Sequence, residues 1–350
     1  MTTGTHDIST LLASRNTSVA DFGMENIVPV LQKELAAHNQ IVTTLVNDLA
    51  EFTTDRQRKY GISVAGDMYE VDEYGRAPTQ KAKPGDTGGF PLKLFQYALG
   101  WTAKWFDLHT PADMVIATQA AERAHLRMIQ REIKRAFYTE ANYTWNDFLV
   151  DGVDIAVKRL VNADSASIPE GPNNETFDGA THTHYIGEAS LTAAFLQSWI
   201  NDLVEHGQGN NVKIAISTTD EAAVRALTGF TAYTDPRLIQ PNTAVLATTP
   251  LDTTRLNNRA IGVFGGAEVW VKSWAIANYV FIWDAGSPKP LVIRQRSATS
   301  MQGLRIAGEN RAYPLLAQFM EAEFGVAVWN RTNGVVGYFA NATYSSPTIT

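Results

Sequence analysis

The chain has 350 residues, 45% of them apolar and 19% charged, the composition of a folded protein with one large core or two to three smaller ones. Its formal net charge of −7 argues against sequence-specific nucleic-acid binding, which needs concentrated Lys and Arg, though not against a protein that merely encloses nucleic acid. The absence of cysteine removes disulfides and thiolate chemistry.

The first residues, MTTGTHDISTLLASRN, carry no basic region followed by a long apolar core, and no window approaches roughly 18 apolar residues. The sequence therefore predicts neither a signal peptide nor a membrane span, and a protein made in the cytoplasm. Residues 1–24 are polar and read as an extended arm. Residues 25–49 turn helical. There Leu31, Leu35, His38, Val42, Leu45 and Leu49 alternate spacings of four and three, the pattern of a coiled-coil seam or of an ordinary amphipathic helix.

After Phe52 the period changes. Tyr69, Val71 and Glu73 alternate with Met68, Glu70, Asp72 and Tyr74, and Phe95, Tyr97 and Leu99 alternate with Leu92, Leu94 and Gln96. Between them lies a polar run, RAPTQKAKPGDTGG. Two strands and a long tip predict a β-hairpin arm, marginal alone in water and so expected to lie on a neighbour. Trp101 and Trp105 flank its base as candidate anchors.

Next comes the longest uninterrupted helical stretch, residues 111–138. Thr110 and Pro111 mark its start, Asp113 adds charge to the first turn, and no glycine or further proline follows. Its apolar residues divide between two faces. Met114, Ala117, Ala120, Ala121, Ala124 and Met128 form one of small or pliable side chains; Leu126, Ile129, Ile133, Ala136 and Phe137 form the other. The split predicts a spine seated on both sides, closely approached by backbone along its first half.

Short mixed elements follow over 145–162, then an irregular loop over 168–190. A second amphipathic helix spans 191–206 and ends at Gly207; NNVKIAIST reads as a strand, and TDEAAVRALTGF as a helix capped by Thr219 and Asp220. Residues 258–286 give two or three strands and LVIRQR another. The last segment reads as a strand pair turning at Asn333-Gly334.

Reactive constellations are few. There is no GxxxxGK(S/T), no GxGxxG opening a helix, no GxSxG and no HExxH. Gly262, Gly265 and Gly266 precede a strand and read as a turn. Asp72 with Glu73, and Asp220 with Glu221, fit a solvated strand face and a helix N-terminus. The best candidate for chemistry is His182 and His184, with Asp178 and Glu188 nearby. On a strand the two histidines face one way, as metal ligands must, although a pair in a polar loop is more simply solvated.

The order of parts resembles the major capsid proteins of tailed double-stranded DNA phages, a fold also used by encapsulin nanocompartments. The stretches that carry it are NVKIAISTTDEAAVRAL, AIGVFGGAEVWVKSWAIANYVFIWD and FMEAEFGVAVWNRTNGVV. This chain departs from the pattern in Glu321 and Glu323, where basic residues are common, and in a short N-terminal region. The resemblance implies an α+β phage major capsid protein fold. Its parts would be an N-terminal arm with an amphipathic helix at 1–51, an extended β-hairpin loop at 52–104, a peripheral domain with the long spine helix at 105–185, an axial domain at 186–317 and return strands of the peripheral domain at 318–350.

It also implies a structural protein rather than an enzyme, with no catalytic, cofactor-binding or metal residue. Such a chain would assemble with itself as hexamers and pentamers into an icosahedral shell around double-stranded DNA held without sequence reading. Scaffolding, portal and decoration proteins are further candidate partners, no membrane is involved, and the location is the virion capsid, built in the host cytoplasm. Two alternatives stand beside it: an encapsulin-type cargo shell, and a metal-dependent hydrolase using His182 and His184.

Overall fold

In a computed structural model, which describes residues 6–60, 68–80, 85–233 and 258–349, the chain opens with helices instead of an extended arm. α1 (Ile8–Ala13) starts where the Asp7 carboxylate accepts from the Thr10 N–H, and α2 (Val19–Phe22) where the Ser18 hydroxyl accepts from the Asp21 N–H. The polar composition hides two anchors: Leu11 and Val19 are fully buried in a cluster with Trp101, Met114 and Val115. α3 (Met24–Val46) buries Leu31, Leu35, His38 and Val42 as expected, then Val46, while Leu45 stays exposed. That drift is the 3.6-residue period of a straight helix, not a coiled-coil repeat.

β1 (Ala50–Thr53) leads into the arm. Its stem is β2 (Gln57–Tyr60) paired antiparallel with β3 (Asp86–Gly89), shorter and nearer the core than the alternation suggested. Residues 68–80 form no strand and are exposed throughout; 61–67 and 81–84 lie outside the described residues. The expected second arm strand exists as β4 (Lys93–Thr102), but it pairs with β15 (Leu315–Val328), in register from Thr102↔Leu315 to Lys93↔Phe324. Its alternation was real; the partner lies over 200 residues away in the sequence.

α4 (Ala103–Leu108) links to the spine, α5 (Pro111–Tyr138), whose ends are those read from the sequence. Thr110 and Asp113 form a reciprocal capping box. The buried face is one continuous stripe, however, running Met114, Thr118, Ala121, His125, Ile129, Glu132, Ile133, Ala136. Its polar members escaped the apolar count because each has a partner. Thr118 donates to the Met114 carbonyl, His125 Nδ1 lies 3.0 Å from His38 Nε2 on α3, and Glu132 accepts from Lys93 and Arg135.

The seat along that stripe does change. Met114 and Val115 pack with Leu11, Leu31 and Trp101, whereas Ala121 onward joins a cluster with Trp274, Phe281 and Met320. The Phe137 and Phe281 rings lie 3.8 Å apart between centroids, tilted by 30°.

A small hairpin of β5 (Tyr143–Asn146) and β6 (Asp154–Val157) follows. Then come β7 (Tyr185–Gly187), α6 (Ala193–Val204), β8 (Val212–Ile216), α7 (Glu221–Arg225) and β9 (Thr231–Ala232). α7 is shorter than expected. Ser217 rather than Thr219 caps the preceding 3₁₀ turn, and Asp220 turns inward to accept from the Asn278 N–H. The variable stretch 234–257 lies outside the described residues.

β10 (Asn258–Phe264) and β11 (Ala267–Lys272) turn at Gly265 and Gly266, whose φ values of 57° and 84° are those a two-residue hairpin turn requires. β12 (Tyr279–Asp284), β13 (Leu291–Gln295), β14 (Arg305–Ala312), β15 and β16 (Val335–Tyr338) complete the chain.

The strands gather into two main sheets. One holds β1, β13, β15 and β14, and β4 also pairs along β15. The other runs β7-β16-β12-β8-β11-β10-β9, with α6 packed on it through Leu196, Trp199, Ile200 and Leu203. The boundary expected at 317/318 therefore falls inside β15, and β16 joins the sheet of β12 rather than pairing with β15.

The Asn333-Gly334 hairpin does not form. Neither residue has positive φ, and the buried Asn333 side chain is spent elsewhere: it accepts from the Asp284 N–H and donates to the carbonyls of Asp284 and Pro288. The acidic departures are answered within the chain. Glu323 accepts from Arg296 and Arg305, and Arg305 also reaches Glu321.

Candidate metal centre and exposed arm

Of the sequence-predicted pair, His184 is buried and His182 is partly exposed. His184 is fully buried just before β7, where its N–H donates to the Val161 carbonyl and its carbonyl accepts from the Val336 N–H. This strand-edge pairing draws the polar loop into the fold and aims both imidazoles at the end of α6.

There they meet His206. The three Nε2 atoms lie 3.3 Å (His182–His184), 3.0 Å (His182–His206) and 3.0 Å (His184–His206) apart. Glu205 Oε1 lies 3.4 Å from His182 Nε2 and 3.7 Å from His206 Nε2. The Phe177 ring covers the group, its centroid 4.2 Å from that of His206 and 5.0 Å from that of His182. His184 Nδ1 is 2.7 Å from the Gly334 carbonyl, which fixes the proton on that nitrogen. His206 Nδ1 is buried without a partner among the described residues.

Burial keeps the imidazoles neutral. It holds His182 below its ordinary value and, with the neighbouring histidines, His184 well below; His206 falls to about 3. Glu205 is pushed up by burial and by Asp202 and Glu175.

The nearby acids do not join them. Asp178 accepts from the Ala180 N–H and the Thr181 hydroxyl, and Glu188 bridges by its backbone to Tyr338 and Asn341. Sequence reasoning missed Glu205 and His206, yet a signal existed. Leu196, Trp199, Ile200 and Leu203 mark the buried stripe of α6, and position 206 extends it by three.

The other candidates are structural. Asp72 and Glu73 are exposed on the arm. Glu221 binds Arg225 and Arg259, while burial raises Asp220 to about 6. Trp101 and Trp105, with ring centroids 5.7 Å apart, do not sit at the β2–β3 stem: they pack with Leu11, Leu31 and Met114 in the core where the N-terminal helices meet the spine. The arm itself projects Met68, Tyr69, Val71 and Tyr74 into solvent, and the turn from β14 to β15 projects Tyr313 and Leu315. Among the described residues no helix is long and apolar enough to cross a membrane.

No protein-family model matches the sequence, and no curated protein does. Solved structures do. A chain of Mycobacterium phage Patience superposes with a TM-score of 0.69 at 18% identity, over 98% of this chain and 95% of that one. Looser likenesses are the capsid of the native GTA particle (TM-score 0.47, 13% identity, 85% and 90% covered) and the cyanophage A-1(L) capsid asymmetric unit (0.47, 12%, 86% and 93%). With its hairpin arm, 28-residue spine and two sheets, the chain has the phage major capsid protein fold.

Proposed function

We propose that this chain is the subunit of an icosahedral shell enclosing the double-stranded DNA genome of a tailed phage, assembled through hexamers and pentamers. The observation that carries the reading is the likeness of fold across 98% of the chain to a phage protein. The exposed arm supports it. Four large apolar or aromatic side chains within residues 68–74 have no core of their own, and such side chains find cover on another surface. In this reading the spine and the sheet of β15 form the peripheral domain, and the seven-stranded sheet with α6 forms the axial domain.

An acidic balance suits containment of DNA rather than sequence reading, so binding to free DNA should be weak and lost as salt rises. Scaffolding, portal and decoration proteins would complete the particle in the host cytoplasm. Size-exclusion chromatography and negative-stain microscopy of expressed protein test the reading. Closed particles are expected, and nucleic acid rather than protein cargo inside them separates a phage shell from an encapsulin. A monomer under all conditions would overturn it.

A further inference from the structure

Nothing in shell building calls for three histidines and a glutamate converging on one point. We infer that His182, His184, His206 and Glu205 form a structural zinc site that staples the segment before β7 to the C-terminal end of α6.

A tetrahedral zinc ion with ligand bonds of about 2.0–2.1 Å has ligand–ligand edges of about 3.3–3.4 Å. The three Nε2 separations are 3.0, 3.0 and 3.3 Å, and the two carboxylate contacts are 3.4 and 3.7 Å. All four ligand atoms fall within 4.8 Å of one another. Imidazole nitrogen with one carboxylate is a donor set that suits zinc.

Three mutually adjacent Nε2 atoms can each be an N–H or a lone pair, so at least two must be alike. One contact therefore sets donor against donor or lone pair against lone pair at 3.0–3.3 Å, whatever the tautomers. His184 is already settled: its Nδ1–H donates to the Gly334 carbonyl, which leaves a lone pair at Nε2. A cation at the centre satisfies all three lone pairs together, and the Gly334 contact becomes the outer hydrogen bond that orients a ligating histidine.

Four protein ligands fill a tetrahedron, and Phe177 covers one side, so no position is left for a substrate water. This makes the site a staple rather than a hydrolase centre. It joins three separate pieces of chain: the loop ending at His184, the end of α6 and the residue preceding β16.

The site lies within one subunit, so its test does not depend on shell assembly. Tag-free full-length protein should carry about one zinc per subunit by elemental analysis. Removal by chelator should lower the melting temperature by about 4 °C relative to protein in zinc at a hundred times its dissociation constant, and zinc should restore it. Cobalt(II) added to the stripped protein should give the intense visible absorption of tetrahedral coordination. His206→Gln should abolish that spectrum, and Glu205→Gln, at a partly exposed side chain that need not disturb folding, should weaken cobalt binding about tenfold or more. His109→Gln, outside the cluster, should change neither. Folded protein without zinc that gives no tetrahedral cobalt spectrum would overturn the inference, as would a Glu205→Gln protein that binds cobalt like the parent.

Discussion

Ile133→Ala on the spine measures how firmly that helix is seated. Ile133 is 2% exposed and borders Val46, Leu49 and Trp274 where α3, α5 and the turn after β11 meet. The change removes three carbons, about 2.4 kcal/mol of transfer free energy at about 0.8 kcal/mol each. A cavity term adds to this because Trp274 and its neighbours are rigid rings that collapse poorly, so the total should fall at about 2–5 kcal/mol. Unfolding entropy near 2.1 cal/mol/K per residue gives about 0.7 kcal/mol/K for a chain this long, hence a melting temperature lower by about 3–7 °C. Differential scanning calorimetry of the soluble subunit reads it, and particle yield should fall in parallel. Ile116→Ala is the control. It lies on the same helix with its side chain exposed, and should stay within about 0.5 kcal/mol. Equal effects at the two positions would refute the single buried stripe.

Other perturbations separate fold from assembly. Replacing Tyr69, Val71 and Tyr74 together by Ser should leave subunit melting within about 1 kcal/mol and abolish closed particles, as sedimentation would show. Gly337→Ala would place a methyl 2.4 Å from the Trp199 ring, so α6 must move and the near-ultraviolet circular dichroism of the tryptophans should change. Asp220 titrates at about 6 in the fold against 3.8 ordinarily, so the native state holds its proton more tightly than the unfolded chain. Its contribution is therefore full below about pH 4 and lost as pH rises through about 6. Asp220→Asn keeps the acceptor for Asn278 and should gain about 3 kcal/mol at pH 8 but almost nothing at about pH 3, measured by urea unfolding.

The spine's ends were legible because their signals are local: Thr110, Pro111 and Asp113 at one end, and unbroken helix formers up to Tyr138. Its buried stripe was not, since Thr118, His125 and Glu132 count as polar until Lys93 and His38 are brought to them by tertiary structure. The same limit explains β4. Phe95, Tyr97 and Leu99 gave the strand its period, but alternation carries no information about which strand lies alongside. Asn333-Gly334 failed as a turn for the opposite reason: a strong local preference yielded to a buried side-chain network around Asp284. Half of the histidine cluster was readable from two residues two apart; the other half depended on the end of α6 folding back across more than 20 residues of sequence.

Electron cryomicroscopy of particles formed by the full-length chain would test the central claim most directly. Closed icosahedral shells are expected, in which residues 68–80 of each subunit lie on an adjacent copy, covering Tyr69, Val71 and Tyr74. Shells in which that arm folds back on its own subunit, or a preparation with no particles at all, would contradict it.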